Sequence, residues 1–100
     1  MTGDYCLINC EIEEKAAFAS KLHRLSQLTW KEIQSQNRHK LGYEKIPQNE
    51  IKTSIPAHVT EDVNLIAFRF DGKKPMVGYR DGVTFYVLFL DRSFTLYGHG

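Results

Sequence analysis

The chain has 100 residues, 42% of them hydrophobic and 25% charged, with a formal net charge of +1. That length supports one domain with a real core and no second one. No apolar run approaches the ~18–20 residues that cross a bilayer, and near-neutrality argues against binding by bulk positive charge alone while leaving room for a local cationic patch.

The opening stretch, MTGDYCLINCEIEEK, lacks the basic n-region and long apolar h-region of a secretory leader, so a cytoplasmic location is expected. Residues 4–12, DYCLINCEI, space Cys6, Ile8 and Cys10 on one side and predict a first strand. On a strand those two cysteines stand roughly 13 Å apart, beyond the ~7 Å a disulfide spans. No further metal-ligand spacing accompanies them, so they are expected as buried, reduced thiols with no metal site.

EIEEKAAFASKLHRLSQ then changes to helical period, with Ala17, Phe18, Leu22 and Leu25 as an apolar stripe. Glu13 and Glu14 in its first turn and Arg24 near its end suit the helix dipole. A second helix is predicted over 30–41. Thr29 and Glu32 have the spacing of a capping box, and Leu28 and Ile33 that of a hydrophobic staple. Trp30, Ile33, Asn37 and Leu41 share its inner face, the basic run 38–40 closes its last turn, and Gly42 stops it. Residues 43–63, with Pro47 and Pro56, read as an irregular connector with a short helical turn near 48–53.

The last third reads as a meander of four strands, NLIAFRF, PMVGYR, VTFYVLFL and SFTLYGH, separated by DGKK, DG and DRS. The third is apolar on both sides and is expected at the sheet centre. The predicted fold is α+β: two N-terminal helices on one face of a mostly antiparallel sheet, in the order β-α-α-β-β-β-β.

If the helices cover one face, the other is open to function. Alternation places Arg69 opposite to Phe68 and Phe70, and puts Thr95, Tyr97 and His99 in one row with Phe94 and Leu96 behind. Thr84 and Tyr86 join that face if Asp91-Arg92 forms a two-residue turn. Arg80 depends on register: a two-residue turn at Asp81-Gly82 puts it beside Phe85 and Val87, a bulged turn puts it at the tip. Such a set suits phosphodiester cleavage by a 2′-hydroxyl. Arginine holds phosphate oxygens, histidine titrates near neutrality, and tyrosine donates a proton or stacks a base. The same residues have plainer uses: a solvated strand arginine, an edge-covering tyrosine, a core Trp30. No P-loop, G-x-S-x-G or zinc spacing is present, so no cofactor is expected.

The pattern of FRF, GYR, FYVLFLD and the closing LYGH resembles the RelE/ParE superfamily of small bacterial toxins. The resemblance spans the whole chain as a loose pattern. It implies a RelE-like fold and a ribosome-dependent mRNA interferase of the RelE, YoeB and HigB kind, working without metal or small-molecule cofactor. Its implied partners are mRNA, the ribosome and a small antitoxin protein, with no membrane. On this resemblance Tyr97, His99 and Arg69 match catalytic positions, and Arg80, Lys73 and Lys74 match RNA- or phosphate-binding ones. The alternative is a non-catalytic binding module on the same fold, either a gyrase-poison-type toxin or a partner-docking protein of a mobile element.

Overall fold

The computed structural model of the chain describes residues 3–36 and 42–98. It is an α+β protein with two helices and a four-stranded antiparallel sheet. Helix α1 spans Ile12–Ser26 and helix α2 spans Trp30–Gln34. The strands are β1, Tyr43–Ile46; β2, Leu65–Asp71; β3, Lys74–Asp81; and β4, Thr84–Leu90. They lie in the order β1-β2-β3-β4, so the described elements run α-α-β-β-β-β. No helix among the described residues is long and apolar enough to cross a membrane.

The first strand expected at 4–12 is absent. Two 3₁₀ turns, Gly3–Tyr5 and Leu7–Asn9, occupy that stretch. The reason is local. Gly3 takes a φ of 76°, Asn9 donates its side-chain amide to the Gly3 carbonyl at 2.8 Å, and Cys6 N–H bonds the same carbonyl. Side-chain-to-backbone bonds of this kind compete with a ladder. The expected face breaks up with it: Cys10 enters the core, whereas Ile8 is exposed. Both cysteines are free thiols, Cys6 half-buried and Cys10 buried.

Helix α1 buries a stripe of Glu14, Phe18, Lys21 and Leu25, the i, i+4, i+7, i+11 rows of one face. Two of those four residues are charged. Helix α2 begins on the expected box: Glu32 N–H donates to Thr29 Oγ1 at 3.2 Å, and Thr29 N–H donates to Glu32 Oε1 at 3.0 Å. It is shorter than the predicted 30–41 and ends at Gln34. The Ser35 hydroxyl bonds back to the Glu32 carbonyl at 2.7 Å, a competition that weakens helical continuation. The expectations for Asn37, Leu41 and the basic run 38–40 lie outside the described residues.

Strand β1 arises inside the predicted connector and pairs with β2, Tyr43 opposite Phe68 and Ile46 opposite Leu65. Pro47, which follows it directly, has no N–H to extend the ladder. The connector then makes its short helical turn at Gln48–Glu50. The two hairpins place Asp71 opposite Lys74 and Asp81 opposite Thr84, so Gly72-Lys73 and Gly82-Val83 are the turn residues. Gly72 and Gly82 carry φ values of 59° and 62°, which glycine alone adopts cheaply.

Two corrections concern the end of the chain. Strand β4 is a sheet edge and not the centre; its apolar run is buried on both sides only over residues 88–90, while Thr84 and Tyr86 are exposed. SFTLYGH forms no strand over its described part. Instead the buried Asp91 carboxylate accepts from Thr95 N–H at 2.9 Å and Leu96 N–H at 3.1 Å, folding the tail back as a loop. Phe94 has a φ of 57° and is exposed, so of the two expected anchors Leu96 is the one that is buried.

Apolar residues fill both faces of the sheet. On one, Ile66, Phe68, Phe70, Met76 and Leu90 meet Phe18, Leu25 and Ile33 of the helices. On the other, Leu65, Ala67, Val77 and Phe89 meet Val59 of the connector and Leu96 and Tyr97 of the tail. The second face, expected to be open, is roofed by loops. These apolar side chains need cover, and chain without regular structure provides it as well as a helix does.

Candidate phosphate-binding and catalytic site

The roof over the second face leaves a gap where β2 runs past the start of β1. Arg69 lies there, on the same side of β2 as Ala67, whose partner on β1 is Glu44. Arg69 and Glu44 are thus diagonal neighbours across the strand pair, within reach of long side chains. The tail brings Tyr97 to the same point. Glu44, Arg69, Lys73 and Tyr97 together line a cavity of about 40 Å³. Residues 28 positions apart in sequence, Arg69 and Tyr97, therefore meet in a roofed cavity; strand alternation, which predicted a meeting on an open sheet, is not what brings them together, because Tyr97 lies on a loop.

Tyr97 is 4% exposed. Burial raises the pKa of its phenol, the negative charges of Glu44 and Asp91 raise it further, and Arg69 offsets part of this. A hydrogen bond to the Glu44 carboxylate works in the same direction, because it holds the proton on the phenol. At neutral pH this group is a proton donor and not a base. Its neighbour Glu44 is the acceptor of the pair. The cavity thus contains a donor, a carboxylate and two cations.

The remaining expected residues are distributed elsewhere. Thr95 is exposed and its hydroxyl lies 3.1 Å from that of Tyr5. Tyr86 stacks on Tyr79 at 5.1 Å, and neither it nor Thr84 lines the Arg69 cavity. Arg80 pairs with Phe85 and faces the helices, which settles its register. Its guanidinium lies 4.6 Å from the centre of the Trp30 ring, and its Nε donates to Gly82 O at 2.7 Å. Trp30 Nε1 donates to Val83 O at 3.1 Å, so Arg80 and Trp30 together fasten the β3–β4 turn to α2.

Lys73 is exposed at the β2–β3 turn and belongs to the Tyr97 cavity. Lys74 points to the helix side and is engaged: its ammonium is 3.0 Å from Glu14 Oε2 and 3.5 Å from Asp71. Glu14 also receives Arg92 Nε at 2.7 Å and Glu11 N–H at 2.7 Å. Burial would raise the Glu14 pKa, but the Glu11 N–H, Lys74 and Arg92 outweigh it and bring it down to about 2. This network joins α1, the β2–β3 turn and the tail; it is structural. His99 lies outside the described residues.

The structure thus brings Arg69, Tyr97 and Lys73 together and separates them from Arg80 and Lys74. Glu44 was missed. Its only sequence signal was the alternation within YEKI, four residues hidden between a helix and a proline. Among the described residues no group of three or more His, Cys, Asp or Glu side chains is placed to hold a metal ion. No family model, curated protein or solved structure matches the chain.

Proposed function

We propose that this protein is a toxin-like endoribonuclease that cleaves mRNA by metal-independent acid–base chemistry, in the cytoplasm and on the ribosome. The observation that carries the reading is the convergence of Arg69, Lys73, Glu44 and Tyr97 on one cavity. Arg69 and Lys73 would hold the non-bridging phosphate oxygens. The Glu44 carboxylate would take the proton of the 2′-hydroxyl as its oxygen bonds to phosphorus. The bond from phosphorus to the 5′-oxygen breaks, and the Tyr97 phenol gives that oxygen its proton. The products are a 2′,3′-cyclic phosphate and a 5′-hydroxyl end. A cavity of about 40 Å³ is close to the ~30 Å³ share of one water, so it admits a phosphate oxygen while the nucleotides lie across its mouth. A small antitoxin protein covering that mouth would be the natural inhibitor.

The test is induced expression in growing cells, followed by mapping of mRNA ends. Growth arrest with new cleaved ends is expected. Glu44→Gln and Tyr97→Phe should each lower the cleavage rate by about 10²-fold or more, and His99→Ala measures what the last residues add. Absence of any effect on growth or translation removes the reading.

The narrowness of the cavity favours a second reading, a module that binds a partner or nucleic acid without cutting. It is the correct one if Tyr97→Phe and Glu44→Gln remain fully toxic while Arg69→Gln does not.

A further inference from the structure

On its other side Arg69 borders a second cavity, of about 310 Å³. Helix α1 contributes Ser20, Lys21 and Arg24 to its wall, and β2 contributes Arg69 and Phe70. Three of the lining side chains are cationic and one is a hydroxyl; none of the described lining residues is acidic. We propose that this cavity binds a phosphate group, that of an RNA strand, between the Lys21 ammonium and the guanidiniums of Arg24 and Arg69.

Four features support the assignment. Lys21 is 6% exposed and occupies the inward stripe of α1 with Glu14, Phe18 and Leu25, a position where an aliphatic side chain would be easier to bury. Burial and the nearby Arg24 charge depress its pKa to about 8, and a bound anion would relieve both effects. The two arginines approach from different elements, so their planar forks can grip different oxygens of one phosphate. The volume falls at the small end of the ~300–1,000 Å³ typical of ligand sites, which suits a phosphate with its sugar and no longer ligand.

Arg69 is common to both cavities. A strand crossing it would place one phosphate at Tyr97 and a neighbouring phosphate at Lys21. Only the RNA origin of the phosphate rests on the function proposed above; the phosphate site itself does not.

The experiment is a titration of the whole chain followed by ¹H–¹⁵N NMR and calorimetry. The probes are inorganic phosphate and a short unstructured oligoribonucleotide, each against chloride at matched ionic strength. Both should perturb Ser20, Lys21, Arg24 and Arg69. Lys21→Met and Arg24→Gln should each weaken phosphate binding by about tenfold or more, whereas Lys52→Gln, an equal loss of charge at an exposed site, should not. Arg24 is exposed, so its variant keeps the fold intact if Lys21→Met does not. Binding by neither probe, or unchanged phosphate binding in Arg24→Gln, overturns the site. Phosphate binding with no tighter binding of the oligoribonucleotide overturns the RNA source and the ribonuclease reading, and leaves a phosphate site standing.

Discussion

Arg69 is a strand arginine on the roofed face of the sheet, bordering one cavity with Tyr97 and another with Lys21. Its neighbours explain why it is there. Tyr97 keeps its proton because burial and the Glu44 carboxylate both oppose ionisation, so it stands in the cavity as a neutral phenol and is unsuited to acting as a base. Asp91 has a purely structural task at the same scale. Its carboxylate is wholly buried and accepts the N–H groups of Thr95 and Leu96, and thereby sets Tyr97 in place. Asp91→Ala leaves two backbone donors without that acceptor, at roughly 1–3 kcal/mol for each one left buried. Urea denaturation should show the loss of stability, and any cleavage activity should fall with it. Unchanged stability would mean that the buried Leu96 and Tyr97 side chains and the Lys52 N–H bond to the Leu96 carbonyl hold the tail without Asp91.

At the scale of elements, β3 and β4 meet at a point that tolerates no side chain. A Cβ on Gly78 would lie 1.9 Å from the Tyr86 carbonyl oxygen and 2.9 Å from the Phe85 ring. The register shift between Val77 and Gly78 lies at the same place. Gly78→Ala must therefore displace β4 backbone, and the expected cost is about 1–3 kcal/mol or more, read as a lowered melting temperature. Gly98→Ala is the control, since its Cβ would meet nothing within 4 Å. The hairpin turns were legible in the sequence, because Gly72 and Gly82 mark turns through their own backbone freedom. The capping box of α2 was legible for a similar reason: Thr29 and Glu32 satisfy each other's backbone donors within one turn. The strand predicted at 4–12 failed because Asn9 and Gly3 closed a local loop in place of a ladder.

For the molecule as a whole, the Glu14 network predicts the acid limb of stability. Glu14 has a folded pKa of about 2 against an ordinary 4.5. The unfolded chain therefore binds the proton first as pH falls. The contribution is fully present above about pH 4.5 and is lost between there and about pH 2. Its size is on the order of 2–3 kcal/mol, moderated because Lys74 and Arg92 are part-exposed. Glu14→Gln should lower stability at pH 7 and flatten the stability profile between pH 4.5 and 2. A variant with the wild-type acid profile would show that other carboxylates control unfolding. The Cys10 thiol, raised by burial and then by Glu14, contributes no charge in that range.

Much of this protein was present in the chain before it folded: an α+β class with two helices and an antiparallel sheet, the two glycine turns, the box at Thr29, and Arg69 on the opposite side from Phe68 and Phe70. Each depends on contacts within a few residues or on a period of two or 3.6, which the sequence carries by itself. The tertiary structure alone decided which strands exist at the margins and what covers them. Tyr43–Ile46 became a strand because β2 offered it an edge, and β4 took the other edge despite its apolar run. The tail became a loop because Asp91 captured its backbone. The candidate site followed from those decisions. Glu44, Lys21 and Tyr97 come from three distant parts of the chain, and only the pairing of β1 with β2, the packing of α1 on β2 and the folding back of the tail bring them to Arg69.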